Sequence, residues 1–288
     1  MFAQTIQLKK GRMMVLRRTL LKTGGAGLAA LSIALPGAAN VVTSPKRHFV
    51  LVHGTWHGGW CWQWLIPFLE AAGHTVTTPT MTGCGERRHL IRPDVGLDTH
   101  INDILGAIEF ADADEIVLVG HSFSGITITG VADVLRTRIS HLVFFDALIP
   151  TGQRRAAVMR DAETGEYPDW WKARKAKFKD GYKMSFWEDY PVEMLVPKED
   201  TRNIALLKRY LTWHPAKQWT DELQLKNGGW EGLTRTCIHA VGQTYRPSSE
   251  AMVGPGREPG WNFVELDVAR NGFMTDPKRV AAALLALV

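Results

Sequence analysis

Three cysteines in 288 residues, at 61, 84 and 237, are too few and too scattered for a disulfide framework or for a zinc site. The simplest reading is three small buried hydrophobes, with room for at most one bridge. No acidic residue occurs among the first 39 positions, while Lys9, Lys10, Arg12, Arg17, Arg18 and Lys22 all fall there. Removing those six takes the formal charge from +5 to −1, so the basic balance belongs to the start of the chain. A near-neutral remainder gives no footing for nucleic acid or for steering of a charged partner. No hydrophobic run is long enough for a comfortable membrane span. Internal repeats are also missing, and no pattern points to a metal or a nucleotide cofactor.

What the first 39 residues do contain is a leader. Arg17-Arg18 stands before a mildly apolar stretch from Gly24 to Leu35, which ends in Pro36-Gly-Ala-Ala39. A charged start, a short apolar middle and small residues at the end make a secretory signal, here of the twin-arginine type. Met13 and Met14 offer alternative starts with a more compact leader. The expected product is periplasmic or secreted, with no stable membrane anchor after cleavage.

The remainder alternates two periodicities. Apolar, β-branched runs at 48–53, 74–78, 115–119, 139–145, 236–241 and 263–268 read as strands. Between them, 60–72, 98–110 with Asp98 as its cap, and 126–133 have helical spacing, as does 277–287 with proline near its first turn. Such alternation predicts an α/β fold with a mostly parallel sheet covered on both faces. Residues 151–232 break the pattern. They are charged and tryptophan-rich, with short helical stretches such as 202–210 and no strand of the core type, and read as a helical cap inserted into a core formed by 40–150 and 233–288. Its tryptophans are expected mainly to pack cap against core.

Gly120-His-Ser-Phe-Ser-Gly125 sits between a strand and a helix, the setting of a nucleophile elbow. The serine of such a turn is lifted above the sheet edge, and strand and helix pass so close that small residues are required two before and two after it. Gly120 meets the first requirement; Ser124 stands at the second, with Gly125 one step later.

Together with the elbow, Val-Leu-Val-His-Gly-Thr-Trp-His-Gly-Gly-Trp-Cys-Trp (50–62), Thr-Gly-Cys-Gly-Glu-Arg-Arg-His-Leu (82–90), Asp-Val-Gly-Leu-Asp-Thr-His-Ile (94–101) and His-Leu-Val-Phe-Phe-Asp-Ala-Leu-Ile-Pro (141–150) carry a resemblance. The chain resembles the α/β-hydrolase superfamily, and more narrowly bacterial relatives of the plant hydroxynitrile lyase and methylesterase group. The resemblance implies Ser122 as nucleophile and the N–H groups of Thr55 and Phe123 as oxyanion donors. It also implies a later carboxylate and then a histidine. Gly242-Gln-Thr-Tyr-Arg-Pro offers no acid at the usual place, so Asp146, after the preceding strand, is the substitute; a structural aspartate capping its turn is the alternative.

The histidine is absent. Where the group has it, between the last strand and last helix, this chain reads Ala269-Arg-Asn-Gly-Phe-Met-Thr-Asp-Pro277, with Arg270 at its position. No histidine lies beyond His239. Arginine has no lone pair with which to take a proton from serine, and serine without a base is a weak nucleophile. Of the other histidines, His53 is expected to brace the oxyanion loop and His121 to point away from the serine hydroxyl, while His57, His89 and His214 are candidates to approach the pocket. The expectation is an exported enzyme for a small hydrophobic ester or related carbonyl compound, in which Arg270 holds an anion and no cofactor takes part. The alternatives are a lyase or isomerase on the same fold, and a small-ligand-binding pseudoenzyme.

Overall fold

The computed structural model describes residues 45–152, 154–243 and 246–288. The expected leader, 1–39, lies outside the described residues. Eight strands are described: β1 (His48–Val52), β2 (Thr75–Thr77), β3 (Ile116–His121), β4 (Ile139–Phe145), β5 (Lys183–Met184), β6 (His214–Pro215), β7 (Arg235–Ala240) and β8 (Asn262–Leu266). Six form one parallel sheet in the order β2-β1-β3-β4-β7-β8.

Within each central strand, alternate residues enter opposite cores. Phe49, Leu51, Val117, Val119, Val143, Phe145 and Ile238 join one apolar cluster; Val50, Val52, Ile116, Leu118, Leu142, Phe144 and Cys237 join the other. Both clusters are buried, so the strands read as continuous apolar runs, as a sheet covered on both faces requires. The helices α1 (Ile66–Ala71), α2 (Leu97–Phe110) and α3 (Ser124–Val134) belong to the first half of the chain. Residues 60–72 are therefore not one helix: a 3-10 turn, Gly59–Trp62, precedes α1, and Gly73 follows with φ +93°. Asp98 does not cap α2 either. Gly96 is the N-cap, and the Leu97 N–H donates to Asp221 Oδ2 at 2.9 Å.

Between β4 and β7 the chain leaves the sheet and forms α4 (Asp169–Lys175), α5 (Thr201–Tyr210) and α6 (Lys217–Thr220), with β5 and β6 as a short antiparallel pair. Asp133 of α3 ties this segment back, accepting N–H bonds from Lys226, Asn227 and Gly229 at 2.7–2.9 Å. After β7 come α7 (Arg246–Val253), then β8, α8 (Gly272–Thr275) and α9 (Pro277–Leu285), whose N-cap Asp276 accepts from Arg279 N–H.

The strand order reverses direction at β1: the chain steps out to β2, then back across to β3. Ligand crevices in open α/β sheets open at such a switch point, beyond the carboxyl ends of the strands. Thr55 follows β1, Ser122 follows β3, Asp146 follows β4, Gln243 follows β7 and Arg270 follows β8.

Candidate active site

Ser122 has φ +60° between β3 and α3. A non-glycine residue is rarely held there, and the cost is met by the surrounding packing. Its carbonyl accepts the Leu148 N–H at 2.8 Å, and a side chain at Gly54 would put its Cβ 2.9 Å from the Ser122 Cβ. The departure at Ser124 has a local explanation. Gly125 holds the tight position, since a Cβ there would lie 2.1 Å from the Leu148 carbonyl oxygen. The Ser124 hydroxyl has room, and donates to the carbonyls of His121 and Val52 at 2.7 and 3.1 Å.

Asp146 and Arg270 meet at this serine. The Arg270 Nη2 donates to Ser122 Oγ at 2.8 Å, and its Nη1 donates to Asp146 Oδ2. All three are buried. Asp146 also accepts from the Ala240 N–H at 3.2 Å, the Gln243 side-chain amide at 3.0 Å and the Ser249 hydroxyl. Those donors satisfy a carboxylate that would otherwise be costly to bury. His239 Nε2 stands 3.9 Å from the same carboxylate.

Among the described residues no histidine nitrogen hydrogen-bonds the Ser122 hydroxyl. His57 lines the pocket, but its Nδ1 pairs with the Thr55 carbonyl at 2.9 Å and its Nε2 with the Asn271 side-chain amide at 3.0 Å. A carbonyl accepts, so Nδ1 carries the proton and Nε2 takes the amide hydrogen. Burial, with Arg270 adding to it, brings the His57 pKa down to about 4. His53 braces the loop from below: one ring nitrogen meets the Gly54 carbonyl and the other accepts the Met81 N–H. Burial lowers it to about 3. Burial, with the charge of Arg270 adding to it, holds the His121 ring well below the usual range. His89 is exposed on the surface. His214 is behind Trp56, between Cys84 Sγ at 3.2 Å and Gln218 Oε1 at 3.2 Å, and does not line the cavity. All three cysteines are free and buried.

The oxyanion loop is gripped by the segment between β4 and β7. Trp56, at φ +67°, accepts the Thr212 N–H on its carbonyl at 3.0 Å and donates its indole N–H to the Met184 carbonyl at 3.1 Å. The Trp219 indole donates to Thr55 Oγ1 at 3.3 Å, and its ring lies 4.0 Å from that of Phe123. Trp219 thus packs the segment between β4 and β7 against the oxyanion loop and walls the pocket as well. Arg174, buried and paired with Asp189 at 3.0 Å, stands over the rings of Trp56 and Trp219. Thr55, Phe123, Ser122 and Arg270 all line the resulting cavity of about 30 Å³, whose remaining walls are mostly aromatic and aliphatic.

Ser122, Thr55, Phe123, Arg270 and His57 therefore line this one cavity, Asp146 is hydrogen-bonded to Arg270, and His89 and His214 lie away from it. Gln243, Ser249 and Asn271 were not anticipated. Gln243 falls in the very stretch where an acid was sought, and only its place in the sequence marked it. No group of three or more potential metal-ligating side chains occurs among the described residues.

The alpha/beta hydrolase family profile matches residues 49–283. A carbendazim-hydrolyzing esterase from Nocardioides is 34% identical over 249 residues, covering 83% of this chain and 99% of its own. Methylesterase 3 of Arabidopsis thaliana is 27% identical over 252 residues, covering 84% and 96%. Among solved structures, an extracellular alpha/beta-hydrolase from a Paenibacillus species superposes with a TM-score of 0.69 at 21% identity, over 84% of this chain and 99% of that one.

Proposed function

We propose, for a chain that belongs to the alpha/beta hydrolase family and is esterase-like within it, that the substrate is a small, largely apolar ester or related carbonyl compound. Ser122 is the nucleophile, Thr55 and Phe123 supply the oxyanion N–H groups, and the Asp146–Arg270 pair stands in for an acid and histidine. The observation that carries this is the hydrogen-bonded chain from Asp146 through Arg270 to Ser122 Oγ. A guanidinium cannot receive the serine proton. It favours the alkoxide electrostatically instead, with Asp146 offsetting part of that charge. The proton leaves to solvent or to the substrate, and the rate follows the fraction of ionised serine. Turnover then climbs with pH towards the alkaline side and shows no histidine inflection near pH 6.5.

The location is part of the proposal. A twin-arginine leader over 1–39 delivers the folded enzyme to the periplasm or the medium, and N-terminal sequencing of protein recovered there, with and without Arg17→Lys and Arg18→Lys, tests it.

A second reading rests on the direction of one hydrogen bond. Because Arg270 donates to Ser122, the serine hydroxyl is itself left as a donor. Two backbone N–H groups, a hydroxyl and a guanidinium then surround one cavity, a set suited to holding an enolate or carboxylate in a lyase, an isomerase or a silent binder.

A fluorophosphonate probe and a panel of p-nitrophenyl esters separate the readings. Labelling and turnover that vanish in Ser122→Ala support attack by the serine. Arg270→His is expected to raise esterase activity by about 10²- to 10⁴-fold, the usual worth of a positioned general base. An inert parent protein together with an active Arg270→His would end the hydrolase reading of the native site.

A further inference from the structure

The cavity at Ser122 is narrow, about 30 Å³. A second, open groove of about 640 Å³ adjoins it, and Met194 and Leu195 line both. Gln243 and Ala269 also line the groove. Gln243 donates to Asp146 at 3.0 Å, and Ala269 precedes Arg270, so the groove runs alongside the residues that hold Ser122.

We propose that this groove is a subsite for the apolar tail of the substrate, and that the Met194 side chain is the gate between it and the reacting centre. The inference rests on Ser122 marking that centre. The backbone of the dividing wall is fixed: the Leu195 carbonyl accepts the Asn271 N–H at 2.9 Å, and the N–H groups of Met194 and Leu195 bond back to Pro191 and Val192 at 3.1 and 2.9 Å. Opening therefore falls to a side chain. Leu195 is buried, whereas Met194 is half-buried and unbranched, with torsions free to swing. The charged members of the groove are compensated, Glu193 by Lys208 and Glu199 by Lys198, each at 3.9 Å, while Val196 and Pro197 add apolar surface. The ligand class is a neutral ester with a short end at Ser122 and an extended hydrocarbon tail.

Binding tests this without relying on turnover. In the full chain carrying Ser122→Ala, calorimetry with methyl esters from butanoate to decanoate should show affinity rising about fourfold per methylene until the groove is full. Adding Met194→Trp should abolish the rise, and Met194→Ala should keep it. Pro197→Trp, at an exposed position on the groove, should end the rise at a shorter chain, and serves if Met194→Trp does not fold. A flat series in the Ser122→Ala parent, no binding at all, or an unchanged rise in a folded Met194→Trp overturns the proposal. Turnover by Ser122 with a flat series removes the subsite and leaves the catalytic reading. An intact rise in a protein that turns nothing over removes the catalytic reading and leaves the subsite.

Discussion

The two sides of the site treat their inherited pattern differently. The Ser122 side keeps the geometry of a nucleophile elbow even though one small residue has moved, because Gly125 takes over the close approach and Ser124 finds two carbonyls. The Arg270 side presents a guanidinium that only donates, where the resemblance leads one to expect a side chain that accepts and returns protons. Sterics govern the first side, and they tolerate a shift of one position. Donor and acceptor chemistry governs the second, and there a change of residue type changes what the site can do.

The largest expected effect that would break the comparison is on the Arg270 side. Asp146→Ala leaves a buried guanidinium without its carboxylate and should cost about 3–5 kcal/mol, read from denaturant unfolding. Arg270→Met should cost less, because Asp146 retains its bonds from Ala240, Gln243 and Ser249; equal losses would show that the pair does not matter as a pair. On the elbow side, Gly125→Ala should cost about 3 kcal/mol, since its Cβ collides with backbone rather than with a side chain that can turn away. A silent Gly125→Ala would mean that Ser124, and not Gly125, is the position under constraint.

His57 links the two sides through Thr55 and Asn271, and its titration gives a third test. Its folded pKa, about 4, is below the unfolded value near 6.5, so between those values the unfolded chain binds the extra proton. Stability should thus be complete above pH 6.5 and fall as the pH drops towards 4, by roughly 3 kcal/mol from this residue. His57→Gln should make an unfolding series taken from pH 7 to pH 4 shallower by that share, the shares of His53 and His100 remaining. The smallest effect is Ser124→Gly, which restores the strict elbow pattern while deleting the one hydroxyl hydrogen that the His121 and Val52 carbonyls share. It should lose about 1 kcal/mol of stability and leave ester turnover within a few-fold. A large gain in turnover would show that Ser124 holds the elbow back.

Much of the fold was legible because its signals are local. The four central strands follow from apolar runs buried on both faces, the edge strands β2 and β8 are only partly buried, and each of the six lies within two residues of where the periodicity puts it. The errors came where another part of the chain decides. The start of α2 is set by Asp221, more than a hundred residues later, so Asp98 was a reasonable but wrong cap. The site was legible residue by residue, but its wiring was not. The sequence offers Asp146 either as an acid or as a cap of its turn. In the fold it has φ +46° and its carboxylate binds Arg270, a partner that no local pattern reveals. His57, His89 and His214 are the histidines the sequence offers to the pocket. In the fold His89 is exposed, His57 Nε2 is occupied by Asn271, more than two hundred residues later, and His214 is held by Gln218, four residues on, and by Cys84 from far back in the chain.

The sequence by itself determined the alternating α/β order, the elbow around Ser122 and the lack of any histidine after position 239. Each of these is written in neighbouring residues, through periodicity, steric demand in one turn and residue chemistry. Only the tertiary structure decided that Arg270 bridges Asp146 and Ser122, that Gly125 carries the constraint expected of its neighbour, and that Met184, Thr212 and Trp219 grip Trp56 and Thr55. Those arrangements depend on the carboxyl ends of β1, β3, β4, β7 and β8 coming to one edge of the sheet. That convergence is a property of strand order, which a linear pattern of apolar and polar residues does not encode.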